Sequence, residues 1–394
     1  LLKPNGLYGM IIPNYWLSTK FDKNLRKLIF CEKTMISLLN TYNVFGDAVV
    51  DTVIPIGKNC KEQNTTKILS ISRDCENILE RLKQIDSKKW SFVADRVFSE
   101  YDDDVQVSFS KTFSLKANKK IGDYFSIYQG MKPYEQGKGT PPQTKEMMKT
   151  RIYNSDTKID ETYYPLLGAA NVQRYYIRPH KEFIKYGQNL AAPRKKEIFE
   201  GERILANRIL SKECLDCCFI SCTAINNTDV FNLIPNENCP SKALFTILAS
   251  RLCAFFLKST NVNLDRLVFP KVNVNTLENF PVPDLMQNTE TVDKLTVLAD
   301  KMLSLHAEVQ KKAEEFLSRV YDNLHVTKIT STLQEFYTLT FADFMKELVK
   351  QKIKLQLKQQ DEWEEYFCEY KADITALTDQ IAATDKEINA DVYK

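Results

Sequence analysis

The sequence has few histidines and no long apolar run. Only three histidines, His180, His306 and His325, occur in 394 residues, and they lie far apart. Metal or nucleophilic chemistry that depends on histidine therefore has little material. No stretch reaches the roughly 18 uninterrupted apolar residues that a membrane-spanning helix needs, and the first residues carry no signal-peptide pattern. We predict a cytoplasmic chain with no membrane partner.

Motifs for phosphate binding and covalent catalysis are missing as well. The sequence contains neither a glycine-rich loop ending in Lys-Ser/Thr nor a nucleophile elbow. Its ten cysteines are irregularly spread. Their one concentration is Cys214, Cys217, Cys218 and Cys222, within which residues 218–222 are typical of a buried strand. A zinc site is the less favoured alternative because two separated ligand pairs are lacking. We predict no metal site and no complete catalytic site in this chain.

Charged residues are numerous but unevenly distributed along the chain. The formal net charge is only +3, yet residues 111–212 carry 20 Lys and Arg against 10 Asp and Glu, whereas residues 290–394 carry 14 against 20. Tyrosines are interleaved with the cations of the basic segment, a mixture that suits phosphate contact together with hydrogen bonding or stacking. The alternative is a solvated, lysine-rich surface over a tyrosine-rich core.

Length and hydrophobic periodicity predict an α+β protein of several segments. Residues 1–58 have the order strand, helix, strand, at 7–12, 20–30 and 48–54. Residues 59–112 are polar and indicate a connector with a helix near 75–85. Residues 113–289 alternate short β-rich runs with turn residues and form the predicted β-rich domain, in which 242–258 is a buried helix.

Two heptad patterns dominate residues 290–394. The first pattern is Leu295, Leu298, Met302, Leu305, Val309, Phe316 and Val320, interrupted by Lys312. The second is Phe367, Tyr370, Ile374, Leu377, Ile381, Thr384 and Ile388. This spacing predicts two long helices that pair as an antiparallel hairpin. Self-association through the same coiled-coil-like faces is the alternative.

Several segments in this order resemble one family, the bifunctional restriction-modification enzymes. Residues 6–14 (GLYGMIIPN), 25–28 (LRKL) and 44–52 (VFGDAVVDT) are similar to the end of an adenine-specific DNA methyltransferase domain. Residues 121–123, 129–130, 175–179 (YYIRP), 203–208 (RILANR) and 280–283 (FPVP) resemble a TaqI-like specificity domain and type I specificity subunits. Residues 297–305, 336–337 and 388–394 resemble the C-terminal helices of such enzymes.

The resemblance implies a fold, a cofactor and one stacking residue. Residues 1–58 would end a methyltransferase sheet, 113–289 would be the target-recognition domain, and 290–394 the helical C-terminal region. In the motif that contains Phe45, an aromatic residue stacks on the flipped target adenine. The parent enzyme would use S-adenosylmethionine, for which this chain has no binding loop. We therefore expect an inactive fragment of a methyltransferase, and whether the parent also cleaves DNA is left open.

Our first hypothesis is sequence-specific reading of double-stranded DNA by the β-rich domain. Arginine and lysine recognise guanine edges and phosphates, and amides recognise adenine. We expect the cations between Arg174 and Arg208 to line one concavity as wide as a duplex. The candidate DNA-binding residues are Lys132, Arg174, Arg178, Arg194, Lys195, Lys196 and Arg203, with Tyr128 and Gln129. The alternative function is a helical protein-interaction or structural module without direct DNA binding.

Overall fold

The computed structural model of the chain describes residues 2–17, 19–42, 44–45, 50–62, 65–71, 80, 83, 91–94, 100–101, 104–105, 115, 117–179, 182–260 and 271–392. Within these ranges helices and several small sheets alternate, which confirms the predicted α+β class. Most of the helix predicted at residues 75–85 lies outside the described residues. No described helix has the length and apolar character needed to cross a bilayer.

A mixed sheet occupies the N-terminal part. Its strand order is Leu7–Gly9, Thr52–Lys58, Thr34–Tyr42, Thr65–Ser70 and Ser91–Ala94, and Ile12–Pro13 also pairs with Thr52–Lys58. Neighbouring strands are antiparallel except Thr34–Tyr42 and Thr65–Ser70, which run parallel. The sequence reading missed Thr34–Tyr42, which forms the middle of this sheet. The sheet also continues beyond residue 58, where we expected the first segment to end.

The helix predicted at residues 20–30 is present in an irregular form. Short 3₁₀ turns at Asn14–Leu17 and Lys20–Asp22 precede the α-helical turn Lys23–Arg26 and the π-helical turn Lys27–Glu32. The Arg26 side chain is buried and donates a hydrogen bond to the Trp16 carbonyl. Trp16 and Phe30 stack at 5.9 Å beneath Leu38 and Val53 of the sheet. The irregular turns thus supply the apolar cover of one sheet face.

Two four-stranded sheets form the centre of the chain. The first, called the central sheet, is antiparallel throughout, in the order Phe125–Gln129, Val230–Pro235, Arg203–Asn207 and Cys217–Ile220. The second has the order Asn154–Ser155, Phe183–Lys185, Tyr163–Leu167 and Ile225–Asn226. Two-stranded pairs are Val172–Gln173 with Tyr176–Ile177, Lys119–Lys120 with Pro281–Val282, and Glu100–Tyr101 with Asp104–Val105.

Both faces of the central sheet are buried. Side chains alternate between the faces of a strand, so Ile204 and Ala206 pack against the helix Ser241–Leu248, while Leu205 packs on the opposite side against Leu167. The apolar run at 242–258 forms two helices, Ser241–Leu248 and Arg251–Thr260, instead of the one predicted. Shorter helices in this part are Ile121–Tyr124, Lys145–Thr150, Lys196–Phe199, Val274–Glu278 and Leu285–Gln287.

The C-terminal part is a hairpin of two 36-residue helices, Thr289–Leu324 and Leu357–Val392. Ion pairs join Lys294 to Asp391 at 2.7 Å and Lys312 to Asp373 at 2.6 Å, so the helices run antiparallel as predicted. Ser331–Gln334, Phe336–Thr338 and Phe341–Lys350 connect them. The apolar heptad residues are buried or half-buried within the chain itself, and Leu298, Met302 and Ile388 also join the core of the central sheet.

Candidate nucleic-acid interface

The loop that follows the first strand of the central sheet is shaped by one buried amide. Gln143 is only 2% exposed. Its Oε1 atom accepts a hydrogen bond from the Glu135 backbone N–H at 2.8 Å, and its Nε2 atom donates to the carbonyls of Pro133 at 2.9 Å and Asn189 at 2.8 Å. Buried amides normally find such partners, and here the partners come from two loops. Gln143 therefore fixes the loop and joins it to residues 187–196.

Backbone hydrogen bonds join the same two loops along their length. Lys132 and Ala192 exchange two N–H···O bonds of 2.9 Å, and the Thr140 N–H donates to the Gln188 carbonyl at 2.8 Å. Gly139 has φ +81°, and a Cβ atom there would lie 2.5 Å from the Asn189 carbonyl oxygen. Only glycine fits this close approach. We call residues 132–145 and 187–196 together the two-loop surface.

The two-loop surface is strongly cationic. It contains six Lys and Arg residues against one acidic residue, Glu135. Lys138, Lys145 and Lys195 are exposed and make no ion pair with a described residue. Arg194 is also exposed, at φ +69°, with its Nε atom 3.5 Å from the Gly130 carbonyl oxygen. These four cations are available to an anionic partner.

Two further predicted lysines on this surface have local partners. Lys132 pairs with Glu135 at 2.7 Å, and the hydrogen bond lowers the pKa of that exposed carboxyl group. Lys196 lies 4.9 Å from the centre of the Tyr164 ring and pairs with Glu200 at 3.3 Å. Contacts with Tyr164 and then Glu200 raise the pKa of Lys196, so it remains a cation. Exposed pairs of this kind are weak and exchange readily for phosphate contacts.

Tyr128 and Gln129 lie where the strand Phe125–Gln129 leads into the two-loop surface. Tyr128 is 43% exposed. The Gln129 Nε2 atom donates to the Thr228 carbonyl at 3.0 Å, which leaves its amide oxygen as the group able to accept from a ligand. The structure brings both residues near the predicted loop cations.

Arg174 and Arg178 instead face the C-terminal hairpin. The Arg174 Nε atom donates to the Ala249 carbonyl at 2.7 Å, and its guanidinium group pairs with Asp385. Arg178 pairs with Glu335 at 2.6 Å. These contacts connect the β-rich part to the helices. Our expectation that the cations from Arg174 to Arg208 line one concavity is therefore wrong.

Arg203 and Arg208 are bound to internal carbonyl groups. Arg203 is fully buried and donates to the Asn232 side-chain oxygen at 3.2 Å. It also donates to the carbonyls of Gly201, Cys222 and Ala224 at 2.9 to 3.0 Å. Because the guanidinium group has no solvent access and four of its five N–H donors are bound to internal acceptors, the prediction that Arg203 contacts DNA is wrong. Arg208 similarly donates to the Val272 and Thr228 carbonyls.

The remaining sequence predictions concern Phe45, the cysteines and metal binding. Phe45 is 49% exposed, but residues 46–49 of its motif lie outside the described residues, so its stacking role stays a prediction. The strand predicted at residues 218–222 lies at Cys217–Ile220, where Cys217 and Cys218 are buried and burial raises the pKa of both thiols, but Cys222 lies beyond the strand and is exposed. No cluster of His, Cys, Asp or Glu among the described side chains is arranged to hold a metal ion.

Sequence reasoning missed Gln143 and the exposed lysines of its loop. The segment 137–142 (GKGTPP) indicates a turn, and the turn was predicted without a role. Its lysine, Lys138, was a better candidate than Arg203, because a glycine on either side places it in a turn at the surface. No local signal marks Gln143, since its partners lie as far as 46 residues away.

A central segment that combines an antiparallel sheet with a cationic two-loop surface is consistent with a nucleic-acid-reading domain. Residues 164–282 match the family model of the TaqI-like C-terminal specificity domain. This match confirms the predicted resemblance to a TaqI-like specificity domain and supports the predicted function of DNA sequence recognition in a restriction-modification system. Residues 288–392, which form the helical hairpin, match a domain of unknown function, DUF8810.

Solved structures similar to the chain include restriction-modification proteins. One is the type IIL enzyme MmeI in complex with DNA, with 11% identity, a TM-score of 0.45, and 98% of this chain and 50% of that chain covered. Another is the type ISP enzyme LlaBIII bound to DNA, with 11% identity, a TM-score of 0.42, and coverage of 78% and 26%. A third is the HsdS subunit from Thermoanaerobacter tengcongensis, with 10% identity, a TM-score of 0.27, and coverage of 47% and 37%.

No curated protein matches the chain. The chain spans half the length of the MmeI structure. The resemblance to restriction-modification enzymes rests on the specificity-domain match over residues 164–282.

Proposed function

We propose that the chain binds double-stranded DNA through the two-loop surface and reads its sequence there. The observation that carries this proposal is that six cations and one carboxylate lie on two loops that are fixed to each other by Gln143 and by backbone hydrogen bonds. A rigid cationic surface of this kind meets phosphates at little entropic cost and holds nearby amides and aromatics against base edges. Tyr128 and Gln129 are the neighbouring base-contact candidates.

The proposal extends to the chemistry of a parent enzyme that would contain this chain. We infer an adenine-specific DNA methyltransferase that uses S-adenosylmethionine, with residues 1–58 at the end of its sheet and Phe45 stacking on the flipped adenine. Residues 113–289 would be the reading domain, 59–112 a connector and 290–394 its helical support. The sequence segments at 6–14 and 44–52 support this proposal. Self-association through the long helices stays a prediction.

Salt dependence of DNA binding tests the proposal. Binding of the full chain to a fluorescent duplex should weaken steeply between about 50 and 200 mM salt, because each neutralised phosphate adds about −0.9 to the slope of log K against log salt. Selection from a random duplex library should return a consensus sequence. Affinity that does not change with salt, or a selection without a consensus, would contradict the proposal.

A matched pair of triple variants locates the contact. Lys138→Gln, Arg194→Gln and Lys195→Gln together should make the salt slope shallower by about 2 to 3, about one unit per lost phosphate contact. The control removes the same charge from the exposed positions Lys301 and Lys311 of the first long helix and Lys354 of the connection between the long helices, and should leave the slope unchanged. Equal losses in the two triple variants would mean that only total charge matters.

A further inference from the structure

A further loop borders the two-loop surface. Residues 156–162 connect the strands Asn154–Ser155 and Tyr163–Leu167, which lie on either side of Phe183–Lys185 in the second sheet. The strand Phe183–Lys185 leads directly into the loop 187–196 of the two-loop surface. The segment 156–162 therefore crosses the strand from which one of the two loops begins. We call residues 156–162 the third loop.

One tyrosine joins the third loop to the two-loop surface. The Tyr186 backbone N–H donates a hydrogen bond to the Thr162 carbonyl at 2.9 Å. The Tyr186 hydroxyl donates to the Arg194 carbonyl at 2.8 Å. Because both bonds come from a single residue, the end of the third loop and the outward cation Arg194 are held one tyrosine apart. A DNA duplex on Arg194 would therefore lie next to the third loop.

The charged groups of the third loop bond one another. The Asp160 Oδ1 atom accepts from the Thr162 backbone N–H at 2.7 Å and from its hydroxyl at 2.5 Å. The hydroxyl bond, followed by the backbone bond, lowers the pKa of Asp160, which is an anion at neutral pH. Lys158 pairs with Glu161 at 2.8 Å. An aspartate that bonds the backbone two residues on is typical of a tight turn, so the third loop has a defined shape.

Ile159 is the apolar side chain that this turn presents. It is 63% exposed, more than any other large apolar side chain that the structure describes between residues 113 and 289. Its neighbours Lys158 and Asp160 are bonded to other residues of the loop. A branched aliphatic group has no favourable contact with a phosphate, and it gains free energy when it packs against another apolar group.

Charge directs the third loop toward a groove of the DNA and away from the phosphates. The loop has three carboxylates, Asp156, Asp160 and Glu161, against Lys158, whereas the two-loop surface has six cations against one carboxylate. Phosphates bound to the two-loop surface would repel the third loop from the backbone. In the major groove, the C5-methyl group of thymine is the aliphatic group that the base edges of unmodified DNA present.

We propose that the third loop enters the major groove and that Ile159 packs against the C5-methyl group of a thymine. Ile159 is then a specificity-determining residue at one base pair of the recognised site. This assignment rests on the proposed function, because it adds one base contact beside the surface that is proposed to bind DNA.

Replacement of thymine by deoxyuridine tests the contact, because it removes the methyl group and leaves the base pairing unchanged. Each thymine of the site selected from the random duplex library is replaced in turn, and binding of the full chain is measured by fluorescence anisotropy. We expect one position at which the affinity falls about fourfold, the effect of burying one methyl group. A consensus without thymine, or equal binding of the thymine and deoxyuridine duplexes at every position, would overturn the proposal.

A matched pair of variants assigns the methyl contact to Ile159. Ile159→Ala should bind the thymine and deoxyuridine duplexes equally at that position and should keep the salt slope, since no charge changes. The control Val297→Ala, at a 65% exposed position of the first long helix, should keep the fourfold preference. Both side chains are exposed, so both variants should fold. A thymine preference that survives Ile159→Ala would refute the assignment.

Failure of the proposed function gives a different result. Binding that does not change with salt, or a selection without a consensus, would overturn the proposed function and this inference together. Salt-dependent binding to a consensus site, with no effect of the thymine methyl group, would overturn this inference alone.

Discussion

The basic segment contains two groups of cations with opposite surroundings. Arg174, Arg203 and Arg208 point inward and bind backbone carbonyls, and Arg174 also pairs with Asp385. Lys138, Arg194 and Lys195 point outward from the two-loop surface. Both groups raise the positive charge of the same hundred residues. A local charge excess therefore does not identify a DNA-binding face.

Chain geometry explains the difference between the groups. The inward arginines lie on strands or beside them. There the planar guanidinium group, with its several N–H donors, hydrogen-bonds to carbonyl groups that are not paired within the sheet. The outward cations lie in loops whose backbone hydrogen bonds are already made by Gln143 and by the other loop. In this domain arginine in a strand stabilises the fold, and a cation in a loop remains available for a ligand.

Replacing Arg203 should give the largest effect. Arg203→Met leaves the buried oxygen atoms of Asn232 and Ala224 without their donor inside the protein, and the part-buried carbonyls of Gly201 and Cys222 lose theirs as well. We expect the free energy of unfolding to fall by about 3–5 kcal/mol, since each unsatisfied buried group costs about 1–3 kcal/mol. Urea denaturation measures this change. Lys195→Met is the control from the outward group and should change stability by less than about 0.5 kcal/mol; a similar loss in both variants would erase the distinction.

The helical hairpin could be predicted from the sequence because burial repeats locally. Leu295, Leu298 and Met302 lie on one helix face by spacing alone, and all three are buried. The pairing of the two helices could be predicted because their apolar heptad faces are of similar length. The strand Thr34–Tyr42 was missed because its apolar positions do not alternate cleanly, and its place in the sheet depends on two strands that come later in the chain.

Whether an arginine side chain points inward or outward could not be predicted from the sequence in the same way. Arg174 meets Asp385, which is 211 residues away, and Arg178 meets Glu335 at a separation of 157. No local window contains such partners. Arg203 was the recoverable case, because it begins the run RILAN, whose five residues are all buried. The sequence therefore predicted surface-loop positions for Lys132, Lys195 and Lys196, whose contact with DNA stays a prediction, whereas Arg174 and Arg178 were misplaced because their partners are distant in the chain.

His306 adds to the inward cations a histidine whose ring is neutral in the folded chain at physiological pH. Its folded-state pKa is about 4, lowered by burial and then by Arg174, against about 6.5 in an unfolded chain. Below pH 6.5 the unfolded chain therefore binds a proton that the folded chain refuses, and stability falls as the pH drops toward 4. From pH 7 to pH 5 this linkage amounts to about 2 kcal/mol.

The variant His306→Phe should lose that part of the pH dependence while it keeps the stacking on Tyr175 and Tyr176. Urea denaturation at pH 7, 6 and 5 measures it. The control His325→Asn replaces an exposed histidine with a residue that tolerates its φ of 52°. Stability curves of wild type and His306→Phe that stay parallel down to pH 5 would show that His306 is not the group responsible.

The smallest expected effect comes from a matched pair of arginines, one from each group. Arg174→Gln should lower the free energy of unfolding by about 1–2 kcal/mol, because it breaks a half-buried ion pair with Asp385, and should leave the salt slope of DNA binding unchanged. Arg194→Gln should change stability by less than about 0.5 kcal/mol and make that slope shallower by about one. Adding Asp385→Asn to Arg174→Gln should cost less than the two single changes together, since the pair is already broken. Arg174→Gln could instead reduce the salt slope as much as Arg194→Gln. Arg174 would then leave the hairpin to reach DNA, and the division between inward and outward cations would hold only for the chain without DNA.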